Sequence, residues 1–416
     1  MKKNIKKDVL VVTEFFYPEE FIINQVVDYW IDNGKTVEIL TRTPSYPFGK
    51  IFNGYKNKLF QKEEYRGATI NRIHVFEGYT NSLIIKILNV FWNAFLGYIF
   101  ALKNKTKFET VFIYQAGTLT SSLAGVLVGK KQKIPITLWV QDVWPDTVYA
   151  YGFKRKGLLK YFLEKYTKWI FLNCQNILGS CPGFKSTIEN FIENRKVVHF
   201  VPNWATTTDL DNEEFAFPTD QKINFTFAGN IGKVQNLENC IHGFGKISKE
   251  LDNVRLNIVG DGSNLQLCKE IVSLNNYANI KFWGRLPLTQ MPSLFALSDV
   301  LIISLIDKPI FNITIPAKFQ AYIYAEKPVF SIINGEVAKL TRDYDIGWVA
   351  APNDIDDIAN KFIYISKLSQ EDLTHKKVNS KRLSDDLFVK QNIQKQIFEY
   401  TFNNPTNLEL KIQHIK

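Results

Sequence analysis

Short apolar, β-branched runs alternate with helix-period patterns along this whole chain, and that alternation restricts the fold more than any other feature. In the first half the runs are Asp8–Thr13, Lys35–Thr41, Ala68–Phe76, Thr110–Tyr114, Pro135–Val140, Asn176–Ser180 and Val197–Val201. In the second half they are Ile223–Ala228, Arg255–Val259, Ile280–Trp283, Val300–Ile303 and Val329–Ile332. Helical periods fall between them at Glu20–Asn33, Leu119–Val128, Phe184–Ile192, Leu237–Leu251, Leu265–Leu274, Leu288–Leu297 and Ala317–Ala325. Strand–helix–strand repetition buries its apolar surface by building a parallel sheet with helices on both faces. At 416 residues the chain is long enough for two such domains. The expected class is α/β, with two Rossmann-like doubly wound domains in tandem. Residues 1–204 form the first and 221–385 the second. The stretch 205–220, mostly Thr, Asp, Asn, Glu and Pro, reads as the linker, and 386–416 as a closing helix and polar tail returning toward the first domain. Thr43–Gly67, rich in Pro, Gly, Tyr and Lys, reads as a long loop.

The second half carries its chemistry at the ends of its strands. Phe225-Thr226-Phe227-Ala228-Gly229-Asn230-Ile231-Gly232-Lys233 runs from strand into a Gly-rich turn, with Asn236 as an N-cap before the next helix. Backbone N–H groups at such a turn and at the helix start attract phosphate. The same glycines also suit a tight βα turn with no ligand. Gly260-Asp261-Gly262 follows the second strand, Gly284-Arg285-Leu286 the third, Pro316-Ala317-Lys318 precedes a helix, and Gly335-Glu336 follows the fifth strand. All these turns belong to the carboxyl edge, where open parallel sheets bind ligands. Lys233, Arg285 and Lys318 add cations to that glycine rim, as a nucleotide diphosphate requires.

Charge divides the chain. Residues 1–200 hold 28 Lys and Arg against 16 Asp and Glu, a net of +12, while the whole chain carries +10. A basic half points to an anionic partner, nucleic acid or acidic lipid. No zinc-finger, helix-turn-helix or aromatic-interleaved basic motif is present, which disfavours nucleic acid. Ser82–Leu102 is the most apolar window and about a membrane span long, but Lys86, Asn89 and Asn93 recur at helical spacing and form a polar stripe. It reads as a core helix, a membrane-docking helix or a span. Lys154–Phe171 is basic, aromatic and helix-patterned, as in helices that lie in a bilayer interface or over a packed core.

Other classes lose ground on single features. Tyr17-Pro18-Glu19-Glu20 occupies the first βα turn where a dinucleotide-binding fold carries its glycines, and neither half shows the full fingerprint of an NAD enzyme. Cys174, Cys181, Cys240 and Cys268 form no C-x-x-C pair and read as thiols of a reducing compartment. The five histidines are scattered, and the Asp-x-Asp triplets at 209–211, 343–345 and 354–356 follow no strand that would need them, so no metal is expected. The lysines before Asp8 resemble a signal n-region, but Val9–Val12 is too short an apolar run to follow one. A cytosolic N-terminus is the expectation.

The motifs taken together resemble glycosyltransferase family 4, whose members have the GT-B fold, and within it the branch that builds O-antigen and capsule repeats with amino-sugar donors. The matching pieces are Phe16-Tyr17-Pro18, Asn33–Val37, Gln141–Asp146, Ser180–Phe184, Val201–Trp204, Ala228–Gln235, Val259–Gly262, Phe282–Arg285 and Pro316–Lys318 with Lys327–Val329. The resemblance implies two domains facing a central cleft. It also implies a nucleotide-sugar donor, UDP in particular, held by the second domain, and a lipid-linked glycan acceptor on the first. Transfer would be retaining and metal-independent, at the inner face of the cell membrane and in contact with its anionic surface. Its donor side would comprise Gly229, Asn230, Gly232, Lys233, Gly260, Gly262, Arg285, Leu286, Lys318 and Glu336. Its acceptor side would comprise Tyr17, Gln115, Asp142 and Trp144. Lys233 and Lys318 would neutralise the diphosphate, and Asp142 would orient or deprotonate the acceptor hydroxyl, although it also suits an Asx-type cap of the Trp144-Pro145 turn. The chain departs from the family at several places. Asn230 and Gln235 stand where many members carry Arg and Lys, Thr314 and Ala321 where two glutamates align, and Gln115 where many have His. A UDP-sugar 2-epimerase on the same fold and a non-catalytic membrane-bound scaffold are the alternative readings. The paucity of histidine argues against the first, and the lost acids keep the second open.

Overall fold

A computed structural model describes residues 6–150, 155–206, 213–218, 222–248 and 250–403. Lys154, the Asp209–Asp211 triplet, half of the expected linker and the 404–416 tail lie outside the described residues. The chain divides into two units. One holds the described residues up to Ser180, Phe184–Val201 and the helix from Gln391 onward; the other holds Cys181–Gly183 and Pro202–Lys390.

The first unit has strands β1 (Lys6–Thr13), β2 (Val37–Arg42), β3 (Phe60–Tyr65), β4 (Ala68–Ile73), β5 (Lys107–Gln115), β6 (Ile136–Val140), β7 (Asn176–Gly179) and β8 (Val198–Phe200). They form one sheet in the order β3-β4-β2-β1-β5-β6-β7-β8, parallel apart from the antiparallel β3–β4 pair. Val9 stands level with Val37 on one side and Thr110 on the other. All residues of β2 and β6 are buried, as in a sheet covered on both faces. β3 was not anticipated within the Thr43–Gly67 loop. Its sequence FQKEEY is polar, and it is an edge strand whose side chains alternate between half-buried and exposed.

The second unit has β9 (Ile223–Ala228), β10 (Val254–Val259), β11 (Ile280–Gly284), β12 (Val300–Ser304), β13 (Val329–Ile332) and β14 (Gly347–Ala350). Its sheet is wholly parallel in the order β11-β10-β9-β12-β13-β14, which is the Rossmann order. The Leu237–Ile247 helix buries Leu237, Cys240, Ile241, Phe244 and Ile247, the stripe its spacing dictates. It packs on the Ile355–Ser366 helix so closely that a Cβ on Gly243 would meet Ile358 Cγ2 at 2.4 Å. Phe362 from that helix stands edge-on to Phe225, Phe244 and Phe330.

Some expectations change. Phe215 and Phe217, assigned to the linker, stack edge to face with each other and pack on Trp283, so this part of the linker belongs to the core of the second unit. A helix at Gln370–Leu387 precedes the closing one, which runs Lys390–Phe402 rather than from Asp386. The closing helix packs in the first unit. Phe402 meets Trp30 edge-on, Gln394 Nε2 donates to Gln25 O at 2.9 Å, and Thr137 Oγ1 donates to Tyr400 O at 2.9 Å.

Candidate active site

In the second unit the strand order reverses between β9 and β12, and open α/β sheets bind ligands beyond the carboxyl ends of such strands. The turn after β9 is tied to its neighbour: Gly229 N–H donates to Val259 O at 2.9 Å and Ile231 N–H to Asp261 O at 2.8 Å. Gly260 N–H donates in turn to Gly284 O at 2.8 Å. The turns at 229–232, 260–264 and 284 therefore form one stitched row. Gly260 has φ +137°, and a Cβ there would lie 1.8 Å from Gly229 O. Gly262 has φ +156°, and its Cβ would lie 2.3 Å from Ile231 O. These two glycines are required by backbone crowding alone.

That stitching changes what the row offers an anion. Gly232 N–H already donates to Gln235 Oε1 at 3.0 Å, and Gly262 N–H to Asp261 Oδ1 at 2.7 Å. With Gly229 and Ile231 also engaged, fewer amides are free than the glycine pattern implies. Asn236 stands at the expected N-cap position, but in the left-handed region at φ 50° and without a side-chain capping bond; its Nδ2 donates instead to Pro352 O at 2.7 Å. Lys233 opens a short 3-10 turn and is exposed, as are Asn230 and Arg285. Leu286 is half-buried and packs with Phe217, Ala228, Val259 and Leu294. Glu336 begins the Glu336–Asp343 helix; burial raises its carboxyl pKa, with Lys339 opposing and Asp343 adding to the rise.

Lys318 is the distinctive side chain. It lies on the Ala317–Tyr324 helix, and its Nζ sits 3.8 Å from the centroid of the Phe227 ring on β9. The amine is shut off from solvent and has no hydrogen-bond acceptor among the described residues. A Cβ built on Gly229 would stand 3.0 Å from it, so the amine faces the first Gly turn. Burial pulls its pKa from the ordinary 10.5 to about 7. The Tyr322 hydroxyl, one turn along the same helix, both donates to Ala228 O and accepts from Ala228 N–H at 3.1 Å. This bidentate pin fixes the end of β9 beside the amine. Sequence reading missed Tyr322, whose only signal is its spacing of four from Lys318.

In the first unit the corresponding reversal lies between β1 and β5. Asp142, after β6, accepts from Gly117 N–H at 3.0 Å through Oδ2, and its other oxygen takes no hydrogen bond among the described residues. Burial raises its pKa; the Gly117 N–H opposes this and the Glu14 charge adds to it. The expected Asx-type cap is not what holds Asp142, since its partner is the β5–helix turn. Gln115 is fully buried, with Nε2 donating to Gly117 O at 2.9 Å, and Trp144 is buried with Nε1 donating to the same oxygen at 3.2 Å. Both brace the turn and neither presents its side chain to a ligand. Tyr17 is exposed and rests on Tyr65.

Glu14, which follows β1 and which sequence reading passed over, accepts from Thr118 N–H and Thr118 Oγ1 at 3.0 Å each. Its other oxygen pairs with Arg42 at 2.8 Å, both side chains being buried, and the guanidinium covers the Phe15 ring. Truncating one member of such a pair strands the other, at a cost of roughly 3–5 kcal/mol. Among the described residues no three His, Cys, Asp or Glu side chains are grouped to share a metal ion.

Comparison with known proteins places this geometry. Residues 208–382 match the family described as glycosyl transferases group 1. The chain is 23% identical over 231 residues to the probable glycosyltransferase WbjE of Pseudomonas aeruginosa, a match covering 52% of this chain and 56% of that protein. It is 22% identical over 288 residues to the putative colanic acid biosynthesis glycosyl transferase WcaI of Escherichia coli K12, covering 66% of this chain and 70% of that one. The match thus spans little more than half the length of WbjE. Among solved structures, sucrose-phosphate synthase from Thermosynechococcus elongatus superposes with a TM-score of 0.69 at 12% identity, over 95% of this chain and 98% of its own. Anabaena HepE, solved in complex with UDP, does so with a TM-score of 0.65 at 11% identity, over 94% and 99%. The likeness to these structures shows the fold: this chain has the GT-B architecture, and its residues 208–382 are similar to the group 1 glycosyl transferases.

Proposed function

We propose that this protein is a retaining, metal-independent glycosyltransferase of surface-polysaccharide assembly. It moves a sugar, an N-acetylated one, from a UDP-sugar to a lipid-linked glycan at the inner face of the cell membrane, to which it binds peripherally. The relatives' names, which include colanic acid biosynthesis, support the setting, and the UDP held by a structural neighbour supports the donor. One observation carries the reading: the Lys318 amine is buried, unpartnered and aimed at the Gly229 turn. A diphosphate there supplies the acceptor that the fold withholds, with charge-assisted bonds of ~1.5–3 kcal/mol each. Lys233, exposed at the end of the same turn, adds a second charge. Neutralising the departing UDP is electrostatic stabilisation of the leaving group, usually the largest single contribution to such catalysis.

UDP should therefore raise the melting temperature of the protein, and more than GDP or dTDP does. A thermal-shift titration checks this, and no shift with any nucleotide would remove the donor assignment. In the first unit we assign Asp142 to the acceptor hydroxyl, since one carboxylate oxygen is fixed by Gly117 and the other is open. Asp142→Asn keeps an oxygen for the Gly117 N–H and removes the basic one. It should lower transfer by about 10²–10⁴-fold while leaving UDP binding intact. Wild-type transfer in that variant would exclude Asp142 from the chemistry.

A further inference from the structure

The Leu83–Lys103 helix is amphipathic in the opposite sense to a core helix. Its buried residues include Asn89 and Asn93, with exposures of only 5% and 6%. Asn89 is clamped to the strand-like segment beside it: its Oδ1 accepts from Phe76 N–H and its Nδ2 donates to Phe76 O, both at 2.8 Å. Thr120 Oγ1 donates to Val90 O at 3.3 Å, and a Cβ on Gly97 would stand 3.2 Å from Ala124 Cβ. Asn89, the Thr120 bond and the small residue thus fasten one face of the helix to the first unit. The other face presents Ile84, Leu88, Phe91, Phe95, Tyr98 and Leu102, all exposed, at steps of four and three along five turns. Ile84 is 72% and Phe91 68% exposed. Water solvates such a stripe poorly, and an uninterrupted apolar band of this size marks an interaction surface.

The surroundings of the stripe identify what covers it. The helix contains no Asp or Glu. At its carboxyl end Lys103, Lys105, Lys107 and Lys131 line a basin with Leu102 and Asn104. Lys131 Nζ donates to Ala101 O and Leu102 O at 3.0 and 2.9 Å, so it caps the helix, while Lys103, Lys105 and Lys107 are exposed. The Gly157–Asn173 helix lies against the same Leu119–Gln132 segment, with Tyr166 Oη donating to Leu119 O at 3.4 Å. It too exposes apolar residues, Leu158, Leu159 and Phe162, beside Arg155, Lys156 and Lys160. An apolar stripe bounded by lysines fits an anionic bilayer, in which the side chains reach the acyl boundary and the ammonium groups meet lipid phosphates.

We infer that the Leu83–Lys103 helix is an in-plane membrane anchor, its Ile84–Leu102 stripe immersed in the interface of an anionic bilayer and its terminal lysines on the headgroups. The helix is long and apolar enough to cross a membrane, with 28% of its most apolar window buried. The Asn89 clamp and the Gly97 contact hold it flat on the protein instead. This deepens the membrane-face part of the proposed function by naming the surface, and it needs neither donor nor acceptor to be tested.

The experiment is flotation of the purified full chain with phosphatidylglycerol/phosphatidylethanolamine vesicles and with phosphatidylcholine vesicles. Binding should be strong to the first, at least tenfold weaker to the second, and reversed by alkaline carbonate. Phe91→Glu with Phe95→Glu should reduce binding at least tenfold with an unchanged melting temperature. Lys103→Ala, Lys105→Ala and Lys107→Ala combined should abolish the preference for anionic lipid. Absence of vesicle binding, indifference to the Phe variants, or resistance to carbonate would each overturn the inference. So would a dimer in light scattering that those Phe variants dissolve, because a second copy would then be the occupant. UDP stabilisation, measured without vesicles, separates failure here from failure of the donor reading.

Discussion

Lys318→Met should yield a protein that is more stable than the wild type and almost inactive. The native amine is buried without an acceptor and has only the face of Phe227 against its charge. Removing an unsatisfied buried polar group returns about 1–3 kcal/mol, which corresponds to about 2–4 °C in melting temperature per kcal/mol for a domain of this size. The thioether of Met fills the space left by the stem. Transfer should fall at least about a hundredfold, the scale on which one preorganised electrostatic donor acts. Lys233→Ala should also slow transfer without the gain in stability, because Lys233 is already solvated. The effect on stability has a definite pH dependence. The folded chain releases the Lys318 proton near pH 7, whereas the unfolded chain keeps it to about its ordinary 10.5. Wild-type stability therefore rises between pH 7 and 10.5, and the burial penalty is fully present below 7. The melting gap between variant and wild type should be widest below pH 7 and narrow toward pH 10. UDP affinity of the wild type should fall as pH rises above 7, because binding then requires proton uptake. A variant that is destabilised at pH 6, or that transfers sugar at the native rate, would refute the assignment.

Gly260→Ala should cost the second unit roughly 3 kcal/mol or more, or prevent its folding. The added Cβ would stand 1.8 Å from Gly229 O, and the φ of +137° is one that L side chains rarely adopt. The oxygen cannot retreat, because Gly229 N–H is bonded to Val259 O and Ile231 N–H to Asp261 O on the same row. Gly34→Ala is the internal comparison. Its φ of +77° imposes conformational strain, but no atom lies within 4 Å of the added Cβ, so about 1 kcal/mol is expected. Urea unfolding of the two variants separates backbone strain from collision. Equal losses would mean that the stitched row relaxes at little cost.

Much of the architecture was legible along the chain. Ile223–Ala228 and Val329–Ile332 have the bounds that their apolar runs imply, because strands of a sheet covered on both faces are largely apolar, and the Leu265–Leu274 helix has the bounds of its helical period. β3 and the Gln370–Leu387 helix were not legible, since one is a polar edge strand and the other carries a weak apolar stripe on a charged surface. The Gly turns, too, could be located from sequence, but their role could not. Glycine forced by a neighbour's carbonyl and glycine held open for a phosphate look alike in a sequence, and here crowding accounts for Gly260 and Gly262.

The site divides along the same line. Sequence alone determined the class, the tandem halves, the excess of positive charge in the first half and the candidacy of Lys318, because these depend on periodicity, composition and local order. Only the tertiary structure decided that Gln115 and Trp144 face inward, that Gln235 occupies an amide of the Gly turn, and that Asn89 and Asn93 are the buried face of a helix whose apolar side lies outward. Exposure is set by what packs against a residue from elsewhere in the chain. A periodic pattern shows that a helix has two faces, and the partner it meets decides which of them is turned to the protein.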